Sequence, residues 1–155
     1  MSPPCPHSHR APTDPALLEQ ALVEARARCE AAGESWTEPR RRTYELLVGA
    51  GQPVKAYDLI QRFGEGGCPT KPPTVYRSLD LLMAIGLVQK VITLGAYMAC
   101  PDSSGTSAAG LLVCTCCGAV ERLPDPSLAA TCAAPAGFLV ERVMLEASGL
   151  CPRCH

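Results

Sequence analysis

Lys71-Pro-Pro-Thr-Val-Tyr-Arg-Ser-Leu-Asp-Leu-Leu-Met-Ala-Ile-Gly86 opens on two prolines and closes on a glycine, the punctuation of a helix. Pro72 and Pro73 suit a first turn, whose N–H groups have no helical partner. Val75, Leu79, Leu82 and Met83 then form an apolar stripe, with Tyr76, Arg77 and Asp80 on other faces. Two short strands are expected next, Leu87 to Ile92 and Ala96 to Cys100, around a turn at Gly95. Working back, Gly64 to Pro69 reads as a turn and Ala56 to Phe63 as a short helix. Before it, Thr37 is a good N-cap with Pro39 in the first turn that follows. That helix has Arg40, Arg41 and Arg42 on its exposed start and Tyr44, Leu46, Leu47 and Val48 inside, and it stops at Gly49-Ala-Gly51. A first helix carries Leu18, Leu22, Ala25, Cys29 and Ala32 on its apolar face and ends at Gly33. Residues 1–14, with four prolines, read as a flexible tail in which Cys5, His7 and His9 are close enough to bind a metal loosely. Three helices and a two-stranded ribbon make a winged helix, the helix-turn-helix variant whose last helix enters the DNA major groove.

Downstream, Pro101 to Gly110 is a linker by composition. Two Cys-x-x-Cys pairs follow, Cys114/Cys117 and Cys151/Cys154. Each puts two thiols on one tight turn, and together they supply the full shell of a tetrahedral zinc site. A four-thiolate shell leaves no open position, so the zinc is expected to be structural. Cys117 is preferred to Cys116 because it keeps the two-residue spacing and precedes the turn glycine, Gly118. Around the pairs, Leu111 to Val113, Ala119 to Leu123 and Phe138 to Leu145 read as strands, and Asp125 or Ser127 can cap a short helix. Some 45 residues make a meagre core, and such a unit needs a metal, an interface with a second copy, or both. The expected class is therefore α+β: a tail (1–14), a winged-helix domain (15–100), a linker (101–110) and a small zinc-stapled α/β unit (111–155) whose strand edges are open to pairing with a second copy, as in a dimerisation domain.

The chain has 155 residues, ten of them cysteine, and a net charge of −1. No apolar run approaches the roughly 18 residues of a membrane helix. The start lacks the apolar core of a signal peptide, which places the protein in the cytoplasm, where thiols stay reduced. Cysteines outside the quartet, such as Cys29, Cys68 and Cys132, default to small buried hydrophobes. The charge is unevenly spread: residues 36–90 carry net +3, and the segments on either side carry net −2 each. The positive excess thus coincides with the winged helix, as DNA binding requires. An enzyme is not indicated, because no Cys–His or Ser–His–Asp set and no phosphate-binding glycine loop lies in the body of the chain.

Lys71-Pro-Pro-Thr-Val-Tyr-Arg-Ser-Leu79, Gly86-Leu-Val-Gln-Lys-Val, Cys114-x-x-Cys-Gly-Ala-Val-Glu121 and Gly149-Leu-Cys-Pro-Arg-Cys154, in that order, resemble the ferric uptake regulator superfamily. Ala56-Tyr-Asp-Leu59 makes the likeness greatest to its zinc uptake regulator branch. The resemblance implies a homodimeric cytoplasmic repressor that binds double-stranded operator DNA, with no membrane and no small-molecule substrate. It implies that Tyr76 and Arg77, flanked by Thr74, contact DNA. Arg77 is suited to read guanine with its bidentate fork. Lys71, Arg40, Arg41, Arg42 and Lys90 are suited to phosphates, which give affinity and salt dependence but little sequence choice.

The resemblance also implies a second, regulatory zinc held by a cysteine after the wing, two histidines and a carboxylate. Only the cysteine matches cleanly, as Cys100. The histidine positions fall on Gln89 and near Ser107, and the carboxylate position falls on Arg122 beside Glu121. The chain has three histidines, His7, His9 and His155, so imidazoles cannot build a site within the body. Cys100 and Glu121 remain as candidate regulatory ligands, and soft thiolates favour zinc or Cu(I). Three readings stay open: a repressor with a relocated sensor, a metal-insensitive DNA binder, and a sensor of haem or oxidation through cysteines, four of which precede a proline. From another class, a zinc ribbon that binds protein partners would share the quartet but would not need the helix at 71–86.

Overall fold

Asp14 starts the first helix by accepting the Ala16 N–H on its carboxylate at 2.9 Å, in a computed structural model that describes residues 13–65, 70–100, 110–123, 134–140 and 143–155. Helix α1 (Pro15–Ala31) buries Ala21, Ala25 and Cys29. It ends in a Schellman motif: the Gly33 N–H donates to Glu30 and the Glu34 N–H to Cys29, both at 3.0 Å. Gly33, at φ 76°, supplies the left-handed residue this motif needs. Ala32, expected on the buried stripe, is exposed, because it is the cap residue at which the chain turns away.

Helix α2 (Glu38–Ala50) starts after an extended Thr37, whose side chain makes no capping bond, and buries Thr43, Tyr44, Leu47 and Val48. Gly51 closes it in the left-handed region. Helix α3 (Ala56–Glu65) runs two residues beyond the expected boundary, so Gly64 and Glu65 are helical rather than part of a turn. The continuous ladder of backbone bonds outweighs the weak propensity of one glycine. The rest of that turn, with Cys68, lies outside the described residues. Helix α4 (Pro72–Ala84) buries Val75, Ser78, Leu79 and Leu82.

Strands β1 (Val88–Val91) and β2 (Ala96–Ala99) pair antiparallel, with Val88 opposite Ala99 and Val91 opposite Ala96. A contact not anticipated from the sequence completes the wing's base. Val54 and Tyr97 exchange both backbone hydrogen bonds at 2.8 Å, tying the α2–α3 connection to β2. Tyr44, Leu47, Leu59, Phe63, Val75, Leu79, Leu82 and Leu87 belong to one apolar cluster under the four helices and the wing. The result is a winged helix preceded by α1.

The described residues divide into two compact units, within 10–105 and within 106–155. The second unit is a sheet of β3 (Gly110–Cys114), β4 (Val120–Arg122) and β5 (Leu145–Gly149), in the order β4-β3-β5. Strand β3 pairs antiparallel with β4 and parallel with β5. The last strand was expected at Phe138 to Leu145, but residues 138–140 and 143–144 belong to no strand, and Phe138 and Leu139 are exposed. Pairing with β3 selects the Leu145–Gly149 segment over the more strongly alternating one. Gly110, expected as the last residue of the linker at 101–110, is the first residue of β3, because the ladder with β5 reaches it. The rest of that linker and the helix after Asp125 or Ser127 lie outside the described residues, as does Cys132. No helix among the described residues is long and apolar enough to cross a membrane.

Candidate metal centre and nucleic-acid interface

The parallel register builds the metal centre. Cys114, the last residue of β3, stands opposite Gly149, the last residue of β5. The turns that leave the two strands therefore share one end of the sheet. The Thr115 N–H donates to the Gly149 carbonyl at 2.9 Å, and the Thr115 hydroxyl donates to the same oxygen at 3.2 Å, locking the turns together. Within the first turn the Gly118 N–H returns to the Cys114 carbonyl at 2.9 Å, with Gly118 at φ 71°. Within the second, the N–H groups of Cys154 and His155 both reach the Cys151 carbonyl.

The sulfurs of Cys114, Cys117, Cys151 and Cys154 lie within 4.8 Å of one another, and Cys117 Sγ is 3.8 Å from Cys151 Sγ. A tetrahedron of Zn–S bonds of about 2.3 Å has sulfur–sulfur edges of about 3.8 Å, so the set fits zinc. The backbone favours the thiolate form as well. N–H groups of Cys117 and then Cys151 point at Cys114 Sγ and bring that thiol down to about 6, the Cys151 bond being 3.4 Å long. Cys116 is exposed and contributes no sulfur to this set. A metal held here has its shell filled by protein, which suits a structural role and leaves no position for a substrate.

The second surface is on α4. With Val75, Ser78 and Leu79 buried, helical geometry turns Tyr76 and Arg77 outward, and both are exposed. Thr74 is half-buried on the first turn, its N–H bonded to the Lys71 carbonyl, and Lys71 is exposed at the N-cap. Among the described residues no carboxylate pairs with Lys71 or Arg77. The arginines of α2 differ. Arg41 makes two hydrogen bonds to Glu38, at 2.7 and 2.9 Å, and lies 3.3 Å from Glu45. Arg42 pairs with Glu45 at 3.0 Å, and Arg40 with Glu34 at 3.3 Å and the Ser35 carbonyl. These cations are already partly neutralised. The spacing Glu38, Arg41, Arg42, Glu45 is the i,i+3/i+4 signal that could have revealed it. Lys90 is exposed on β1, its ammonium 5.7 Å from the Tyr97 ring centroid.

Cys100 and Glu121 fall in different units. Cys100 follows β2, its N–H bonded to the Leu87 carbonyl, and its Sγ lies 3.9 Å from Gln89 Oε1. Glu121 is exposed on β4, opposite Leu112.

A helix-turn-helix with a wing, followed by a sheet that gathers four thiols at spacings suited to one metal, defines the class of winged-helix regulators with a second unit able to hold a metal. The chain belongs to the ferric uptake regulator family, whose pattern it matches over residues 31–147. It is 32% identical over 142 residues to the zinc uptake regulation protein of Escherichia coli (strain K12), spanning 88% of this chain and 82% of that one. The corresponding protein of Shigella flexneri is equally similar. Among solved structures, a zinc uptake regulator complexed with zinc and DNA superposes with a TM-score of 0.77 at 32% identity, covering 88% of this chain and 94% of that one. Holo XcZur gives 0.75 at 34% identity, covering 86% and 95%. The family comprises regulators, not enzymes.

Proposed function

We propose that this chain is a cytoplasmic, homodimeric transcriptional repressor that reads operator DNA with α4, holds one structural zinc at Cys114, Cys117, Cys151 and Cys154, and controls genes of zinc homeostasis. The observation that carries the reading is the outward-facing pair Tyr76 and Arg77 on a helix whose other face is fixed in the core. The likeness to a zinc uptake regulator complexed with zinc and DNA supports it. In this reading Arg77 donates to guanine O6 and N7, and Tyr76 packs against a thymine methyl or donates to phosphate. Lys71, Thr74 and Lys90 position the duplex through its backbone. Arg41 joins them only by exchanging a carboxylate for a phosphate. Arg77→Ala, tested by gel shift across a salt titration, is expected to cost about 1–3 kcal/mol of specific binding and to leave weak, salt-sensitive binding in place. An unchanged specific shift overturns the reading.

A second reading concerns regulation, and the Cys100–Gln89 contact favours it. Where the resemblance calls for an imidazole beside the cysteine, this chain has an amide oxygen, a weaker neutral ligand. DNA binding is then independent of a second metal ion, and control passes to thiols or to protein abundance. Metal content after purification without chelator is expected to be one zinc per protomer. Two zincs, the second removable and required for DNA binding, would instead establish that a regulatory site exists, with Cys100 and Glu121 as its first candidate ligands to mutate.

A further inference from the structure

Arg28 stands in the last turn of α1, yet its side chain leaves that helix and crosses to the end of α4. There Nη2 donates to the carbonyl oxygens of Ile85 at 3.1 Å and Gly86 at 3.3 Å. Helix α4 closes in its own Schellman motif, with the Leu87 N–H on the Leu82 carbonyl at 2.8 Å and the Gly86 N–H on the Met83 carbonyl at 3.1 Å. The carbonyls of Ile85 and Gly86, which follow the last helical residue and are not used by that motif, are the two that Arg28 takes. Leu87 comes next and accepts the Cys100 N–H at 2.8 Å, which is where the wing begins. One guanidinium therefore holds the junction between the reading helix and the wing.

The chemistry of the pocket shows what keeps Arg28 there. No carboxylate pairs with it among the described residues, and its Nη1 is buried without a protein partner. The attraction comes instead from the carbonyl groups at the end of α4, the negative end of that helix's dipole. Gly86 is shaped to the contact: at φ 75° it adopts a backbone that favours glycine, and a Cβ there would lie 3.2 Å from Nη2.

We infer that Arg28 is a positioning residue for DNA recognition, clamping the α4–β1 junction to α1 so that the reading helix and the wing meet the duplex in one fixed relation. The inference rests on the reading that α4 contacts DNA. Arg28 itself touches no phosphate in this account, which gives the test its discriminating readout.

The experiment uses the full zinc-loaded chain, a duplex selected from a random pool on the wild-type protein, and Arg28→Met and Arg28→Lys. Arg28→Met is expected to weaken binding about tenfold, ~1.4 kcal/mol, with the slope of log K against log salt unchanged. Amide exchange should speed up at Leu87 and Cys100 and stay unchanged at Leu47 in α2. Arg28→Lys, which keeps the charge but not the fork, should recover part of the affinity. Gly86→Ala disturbs the clamp from its other side and serves if Arg28→Met does not fold. Equal DNA affinity in the folded variants, or a salt slope lowered by about one unit as for a lost phosphate contact, overturns the inference. If the wild type selects no duplex, it is the DNA reading that fails, and the exchange pattern still decides whether the clamp exists.

Discussion

The two units of this chain are held together by different physics. The first buries Tyr44, Leu47, Leu59, Leu79, Leu82 and Leu87 almost completely, and four helices and a wing share that core. Among the described residues the second buries little beyond Leu111, Val113, Cys114 and Val120, and its strand β5 has no fully buried residue. The first unit can fold on apolar burial. The described part of the second buries too little to match it, and its four converging thiols are suited to hold a metal that would add to its stability. Stability in such a chain is modular, so a change that cripples one unit can leave the other intact.

Cys151→Ser should have the largest effect. Structural zinc contributes on the order of 10 kcal/mol in comparable small sites, so losing one thiolate should unfold the second unit or convert dimer to monomer. Sedimentation and zinc content read the outcome, and circular dichroism should retain the helical signal of α1 to α4. A variant that stays a stable zinc-loaded dimer would refute the four-cysteine assignment. Leu79→Ala should cost about 2–5 kcal/mol, measured by denaturant unfolding, and should leave zinc content unchanged. Smaller again is Gly110→Ala. Its Cβ would collide with the Leu123 side chain and sit 3.0 Å from the Leu145 carbonyl oxygen, a clash worth about 1–3 kcal/mol that should lower zinc retention without touching the helices.

Glu38→Gln should be smallest, within about 1 kcal/mol of wild type, because the pair is on the surface. The hydrogen bond from Arg41 holds Glu38 below the usual carboxylate range. Its contribution is therefore complete above the unfolded-state value and is lost as pH falls through the lowered folded one. Thermal midpoints of wild type and variant should converge on acidification below about pH 4. The same substitution leaves Arg41 paired only with Glu45 and should raise DNA affinity if Arg41 meets phosphate.

Legibility in the sequence followed the range of the interactions. Helix ends at Gly33, Thr37, Gly51, Pro72 and Gly86 were readable because such punctuation is local, although Thr37 marks its end without a capping bond. The start at Asp14 lay within the expected tail. The four thiols were readable because each pair is a local turn. The strand at Leu145–Gly149 was not, since its position is set by register with β3, some 35 residues away in the chain. The Val54–Tyr97 bridge and the Arg28 clamp are also long-range, and no spacing rule reaches them. The ion pairs of the α2 arginines, by contrast, are locally encoded in the i,i+3 and i,i+4 spacing of Glu38, Arg41, Arg42 and Glu45.

The parallel pairing of β3 with β5 also sets an order of events. Cys114 and Cys117 form their turn at once, whereas Cys151 is 34 residues past Cys117. Closing a loop of that length costs about 3 kcal/mol plus a constant in chain entropy. An ion held by the first pair alone would keep only two sulfur ligands. All four sulfurs could close on it only with β5 docked against β3. In the proposed zinc-loaded protein, the lifetime of bound zinc would then report how firmly the last strand is seated.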